Sequence, residues 1–124
     1  MMDWDKYPNF SENEFKCSHC GKVDMQPAFM ARMQQLRNMY GKPIVISSGY
    51  RCPEHPIEAA KATPGVHAMG IAADVVVSGT DAYEILKHAF TLGFAGIGVQ
   101  QKGGGRFIHL DIMRSVPRPN VWSY

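Results

Sequence analysis

The stretch Gly65-Val-His67-Ala-Met-Gly70-Ile-Ala-Ala-Asp74-Val-Val-Val77 decides how the rest of this chain is read. It places His67 and Asp74 seven residues apart, across Gly70, and runs on into three β-branched residues. Val75, Val76 and Val77 favour a pleated, buried strand, so Asp74 is expected at the start of apolar structure. A buried carboxylate costs several kcal/mol unless it is paired or bound to a cation. On this stretch alone two readings stand: a metal pair, or an aspartate capping a turn beside a satisfied histidine.

Composition narrows the class. At 124 residues the chain is expected to form one domain over residues 1–124, with residues 1–24 as an N-terminal arm and cysteine knuckle packed on it. Hydrophobic content of 45% and charged content of 19% are ordinary for a globular protein. A net charge of +2 without a Lys/Arg stripe argues against nucleic acid as a partner. No apolar run reaches membrane-span length, and the acidic, polar start Met1-Met-Asp-Trp-Asp-Lys-Tyr-Pro8 is not a secretory signal. Three cysteines, an odd number, speak against a full disulfide framework.

Upstream of the key stretch, Trp4, Tyr7 and Phe10 read as anchors of an irregular arm, and Ser11-Glu-Asn-Glu14 has capping-box spacing. Phe29, Met33, Leu36 and Tyr40 recur at helical spacing with Arg32, Gln34, Gln35 and Asn38 mainly opposite. Asp24 is the expected N-cap of that helix and Gly41 its stop. Ile44-Val-Ile46 reads as a short strand leading to Gly49 and Arg51. One helical turn is expected through Ile57–Lys61, and Pro64-Gly65 delivers the key stretch. Downstream, Ser78–Asp81 opens a second amphipathic helix with Ala82, Ile85, Leu86, Ala89 and Phe90 as its buried stripe. Gly96–Val99 and Arg106–Ile112 read as strands, and the tail from Pro117 reads as extended, its aromatics packing back over the sheet. The class is α+β, a small antiparallel sheet with helices on one face.

Alternation on the last strand puts Phe107, His109 and Asp111 on one face and Ile108, Leu110 and Ile112 on the other. The apolar trio must face the helices, so His109 and Asp111 point together into the opposite space. His67, Asp74 and His109 then form a two-histidine, one-carboxylate set, a frequent catalytic zinc arrangement with a fourth position open. Asp111 can take up a proton at the site, or orient a ligand histidine instead. Arg51, a fixed planar donor at a strand end, suits a substrate carboxylate or a developing oxyanion.

The order Ser48-Gly-Tyr-Arg51, His67 with Gly70 and Asp74, then Phe107-Ile-His-Leu-Asp111, resembles the zinc D-Ala-D-Ala carboxypeptidase family. Arg118-Pro119 and Trp122-Ser-Tyr124 resemble the ending of its short phage and prophage branch. The resemblance implies a hedgehog/D,D-peptidase-like fold and a zinc metallopeptidase, carboxypeptidase-like, that hydrolyses peptidoglycan stem peptides as D,D-carboxypeptidase or endopeptidase, in the manner of a phage endolysin. It implies His67, Asp74 and His109 as zinc ligands and Arg51 as the arginine that grips substrate. Two positions depart from the family. Gly65 stands where members commonly carry serine. Arg106 stands where several relatives place the catalytic carboxylate. Arginine cannot act as a base, so the proton-transfer role falls to Asp111 or to a residue from elsewhere.

Cys17-Ser-His-Cys20 is a knuckle that can place two thiolates on one metal, and Cys52-Pro-Glu-His55 repeats the spacing with a histidine. Cys17, Cys20, Cys52 and His55 are therefore a possible structural zinc set, against free thiols or one disulfide with a spare cysteine. His19 and His88 read as exposed, and Glu54 and Glu58, beside Arg51, as surface charges in preference to lining the cleft. The rival to an enzyme is a non-catalytic, zinc-containing cell-wall-binding or phage structural module on the same fold. Synthesis in the cytoplasm is expected, with action on the wall after lysis or phage delivery.

Overall fold

The computed structural model describes residues 2–63 and 65–124; Pro64, part of the expected lead-in to the key stretch, lies outside the described residues. Two short 3-10 helices, Trp4–Lys6 and Glu12–Phe15, precede helix α1, Pro27–Tyr40. There follow β1 (Ile46–Ser48), α2 (Pro56–Ala59), β2 (Ala72–Val75), α3 (Gly79–Thr91), β3 (Gly96–Gln100), β4 (Phe107–Asp111) and β5 (Asn120–Ser123). The five strands form one sheet in the order β1-β2-β4-β3-β5. Every pairing is antiparallel except β3 with β5, which is parallel. The α+β architecture holds as expected, with that one parallel edge added.

Helix α1 begins at Pro27, with Gln26 rather than Asp24 as its N-cap residue. The Gln26 N–H is already engaged by the Gly70 carbonyl, which sets the entry angle of the chain. Gly41 ends the helix at φ 77°, its N–H returning to the Arg37 carbonyl. Phe29, Met30, Met33 and Leu36 are fully buried, and each such side chain contributes on the order of 1.5–3 kcal/mol. Gln34, expected on the polar face, is buried as well. Its amide donates to Asn9 Oδ1 and Asn38 Oδ1 and its carbonyl accepts from the Asn9 N–H, so no polar atom is stranded.

One face of the sheet supplies the core. Ala73, Val75, Ile97, Ile108 and Leu110 join Ile85 and Ala89 of α3 and the α1 stripe in one buried cluster. Tyr7, Phe10 and Phe15 belong to the same cluster, so the N-terminal arm is part of the core. Phe90, expected in the buried stripe of α3, is 58% exposed. Strand β1 starts two residues later than the valine-isoleucine pattern suggests, because Ile46 and Ser48 pair with Val75 and Asp74 around a bulge. Strand β2 likewise ends at Val75, which makes Asp74 an interior strand residue rather than its first.

Candidate metal centre

The second face of the sheet carries the chemistry. Across β2, β4, β3 and β5 a single row aligns Asp74, His109, Gly98 and Trp122. The next row aligns Ala72, Asp111, Gly96 and Asn120. Both β3 glycines are notches. A Cβ on Gly98 would stand 2.6 Å from Trp122 Nε1, and one on Gly96 would overlap the Asp111 carboxylate. The space these glycines leave lets the Trp122 ring lean on His109, with centroids 5.2 Å apart, and lets Arg118 reach Asp111.

His67 arrives from the loop before β2. Gly70 makes that loop possible: its φ is +74°, and a Cβ there would run into the Asp24 carbonyl. The His67 Nδ1–H donates to the Gly49 carbonyl at 2.8 Å, and the Arg51 N–H donates to the His67 carbonyl at 3.3 Å. This leaves His67 Nε2 facing Asp74 Oδ1, 3.5 Å away. His109 Nδ1 lies 3.1 Å from the same oxygen. One donor atom from each of His67, Asp74 and His109 falls within a common 4.8 Å span, and all three residues are buried.

The donor set fits zinc. Tetrahedral ligation at about 2.0–2.1 Å separates neighbouring N and O donors by about 3.3–3.4 Å, which the distances of 3.1 and 3.5 Å bracket. Burial raises the Asp74 carboxyl pKa, but hydrogen bonding with His109 and His67 outweighs it and holds the group far below the usual carboxylate range. Asp74 is therefore ionised wherever the protein is folded near neutrality.

Asp111 occupies a different position from these donors. It touches His109 at Nε2, 2.7 Å away, on the ring nitrogen opposite the one facing Asp74. Arg118 clamps it with Nε to Oδ1 at 3.1 Å and Nη2 to Oδ2 at 2.9 Å, and the Met113 N–H donates to Oδ1 at 3.2 Å. Burial pushes its pKa up, yet the His109 and Arg118 hydrogen bonds bring it down to about 2.

Arg51 projects between two carboxylates, with Nη1 3.3 Å from Glu58 Oε2 and Nη2 3.6 Å from Asp74 Oδ2. Glu58, read from sequence as a surface charge, is only 1% exposed. Lys61 Nζ lies 3.1 Å from it, and the Gly65 N–H donates to it at 2.7 Å. The sequence signal for it is the three-residue spacing of Glu58 and Lys61, with Lys61 just past the end of α2. Arg51, Lys61, Arg118, the three metal donors, Trp122 and Tyr124 line a cleft of about 380 Å³. Among the described residues lining it, Asp74 is the one carboxylate, so the cleft favours an anionic ligand. Arg106 is exposed and away from this cleft, its Nε donating to the Gly103 carbonyl.

The cysteines gather as a second group. One sulfur from each of Cys17, Cys20 and Cys52 lies within 4.8 Å of the others, and all are free thiols. Neither His55, the expected fourth member, nor His19 shares that common span, and the ring nitrogens of His55 are both engaged elsewhere. Its Nδ1 accepts the Ile57 N–H at the start of α2, and its Nε2 lies 3.2 Å from Ser18 Oγ. Burial raises Cys17 but backbone N–H groups lower it to about 7, whereas burial pushes Cys52 up to about 11.

An α+β sheet that brings two histidines and an aspartate into a cationic cleft has the construction of a small zinc peptidase. The sequence profile of the Peptidase M15 family matches residues 8–111, and the chain belongs to that family, the zinc D-Ala-D-Ala carboxypeptidases. Peptidases of this family are zinc-dependent. No curated protein matches the chain. Among the described residues, no helix is long and apolar enough to cross a membrane.

Proposed function

We propose that the protein hydrolyses a peptide bond in the peptidoglycan stem peptide, with His67, Asp74 and His109 as the zinc ligands. The observation that carries this reading is the convergence of those three donors with Arg51 in one cationic cleft. Zinc held there would polarise the scissile carbonyl and lower the pKa of water at its open position. Arg51, steadied by Glu58, binds the substrate carboxylate, and Lys61 on the same rim adds a second positive charge. That preference fits a stem peptide with a free terminal carboxylate, and hence carboxypeptidase action before endopeptidase action. Trp122 and Tyr124 offer aromatic walls for the peptide backbone and screen His109 from water.

Asp111 acts in this proposal as a positioning residue. All its oxygens are engaged, it stands behind the His109 ring, and its pKa lies far from the neutral range a general base needs. It fixes the His109 tautomer so that Nδ1 presents a lone pair to the metal. The phage-type role belongs to the same proposal, with the wall reached by lysis or carried delivery. Digestion of purified muropeptides by zinc-loaded protein, read by mass spectrometry, is the test. Loss of a terminal residue supports the carboxypeptidase reading, internal cleavage the endopeptidase one, and no cleavage at all overturns both.

A second reading, a wall-binding module without turnover, is favoured by one observation. Asp74 is the only carboxylate among the described lining residues, so the cleft shows no acidic group free to act as base. Pull-down on insoluble peptidoglycan separates the two. A binder keeps its affinity when turnover is absent from wild type and from His67→Ala alike.

A further inference from the structure

Outside the cleft, the knuckle formed by Cys17 and Cys20 meets the segment that carries Arg51. Gly21 turns the knuckle at φ +73°, its N–H donating to the Cys17 carbonyl at 2.8 Å, while the Cys17 N–H donates to the Lys22 carbonyl at 2.7 Å. The Cys52 N–H donates to Cys17 Sγ at 3.3 Å, a contact that favours a thiolate on that sulfur. The Tyr50 N–H donates to the Phe15 carbonyl at 2.9 Å, so the two segments run side by side into the sulfurs. His19, inside the knuckle and exposed, sets Nδ1 3.6 Å from Cys52 Sγ, although it does not share the 4.8 Å span of the three sulfurs, so a turn of its side chain completes the set. Tetrahedral zinc with one imidazole and three thiolates separates sulfur from nitrogen by about 3.5–3.6 Å.

We propose that Cys17, Cys20, Cys52 and His19 form a closed structural zinc site that ties the N-terminal knuckle to the Arg51 segment. His55 stands outside it, holding Ser18 and capping α2. The site is independent of the reading of the cleft, although it has a consequence there. Cys52 follows Arg51 directly, and the Gly49 carbonyl that orients His67 lies in the same segment. A zinc on Cys52 therefore immobilises the strand end that presents Arg51 and steadies His67.

The test uses the full chain, purified under reducing conditions, with metal per chain counted by mass spectrometry and the cleft ligand removed by His109→Ala. The expected result is two zinc ions in wild type and one in His109→Ala. Cobalt loaded into His109→Ala should show thiolate-to-cobalt charge transfer, and adding Cys20→Ser should reduce it by about a third or more. In chelator competition on the same background, His19→Ala should weaken retention more than about ten-fold, His19→Cys should restore it, and His55→Ala should leave it unchanged. Circular dichroism of the His19→Ala and His55→Ala variants checks that the fold survives. No zinc in His109→Ala, a Cys17–Cys20 disulfide in the reduced preparation, or loss through His55→Ala but not His19→Ala would each overturn the proposal.

Discussion

Besides Asp74, two buried carboxylates among the described residues, Asp111 and Glu58, divide the labour around this cleft, and their partners say how. Asp111 faces only a ring nitrogen, a guanidinium and a backbone N–H, so its replacement should act through His109. Asp111→Asn is expected to lower zinc affinity about 10–100-fold, with hydrolysis recovering as zinc is raised. Competition against a coloured chelator, run beside muropeptide turnover, checks this. Full zinc occupancy with abolished turnover would instead make Asp111 the base. Glu58 gives a pH signature. Burial raises its pKa, but hydrogen bonds from Gly65, Lys61 and Arg51 bring it below the usual value. A depressed carboxyl contributes stability that is fully present above its unfolded pKa of about 4.3 and is lost as pH falls through the native value. Thermal unfolding of wild type should therefore drop as pH falls below the unfolded carboxyl value of about 4.3. Glu58→Gln should flatten that drop and cost about 2 kcal/mol at neutral pH, less than a fully buried pair because Lys61 is part-exposed.

At the scale of elements, the glycines of β3 govern the architecture of the site. Gly98→Ala drives a methyl group into the Trp122 indole, so β5 must shift or Trp122 must leave His109. A loss of about 1–3 kcal/mol and a change in tryptophan emission are expected, measured by chemical denaturation and fluorescence. Gly70→Ala is expected to cost more, since a left-handed backbone and a clash with the Asp24 carbonyl coincide. Helices α1 and α3 were legible in the sequence because their apolar stripes repeat over several turns. The strands were less so. Val76 and Val77 drew β2 too far, whereas the strand is mostly alanine and aspartate because both its faces are buried and crowded. β5 was invisible as a strand: Asn-Val-Trp-Ser carries no alternation, and its parallel pairing with β3 is purely tertiary. The donors His67, Asp74 and His109 could be read as a set because loop, strand order and period two each place one side chain. The burial of Glu58 and the clamp of Arg118 on Asp111 could not, since both depend on where separate segments cross.

For the whole molecule, metal and fold are coupled. The cleft donors come from the loop before β2, from β2 and from β4, so a bound cation ties parts of the chain that an unfolded chain cannot hold together. Removing zinc with a chelator should lower the unfolding temperature, by an amount equivalent to about 4 kcal/mol when free zinc stood near a thousandfold above its dissociation constant. Calorimetry with and without chelator checks it, and an unchanged transition would mean that the donors hold no ion. The cationic rim predicts salt dependence as well. Hydrolysis of an anionic stem peptide should weaken through KM as ionic strength rises, with kcat little affected.

Tyr124 packs its ring on Phe107 with centroids 5.1 Å apart, at the rim of the cleft. An affinity tag or a reporter fused directly after residue 124 therefore leaves the chain at the mouth of the cleft. A cleavable tag joined directly after Tyr124 should depress turnover until it is removed, and the same position suits a tethered inhibitor or a fluorophore that senses occupancy.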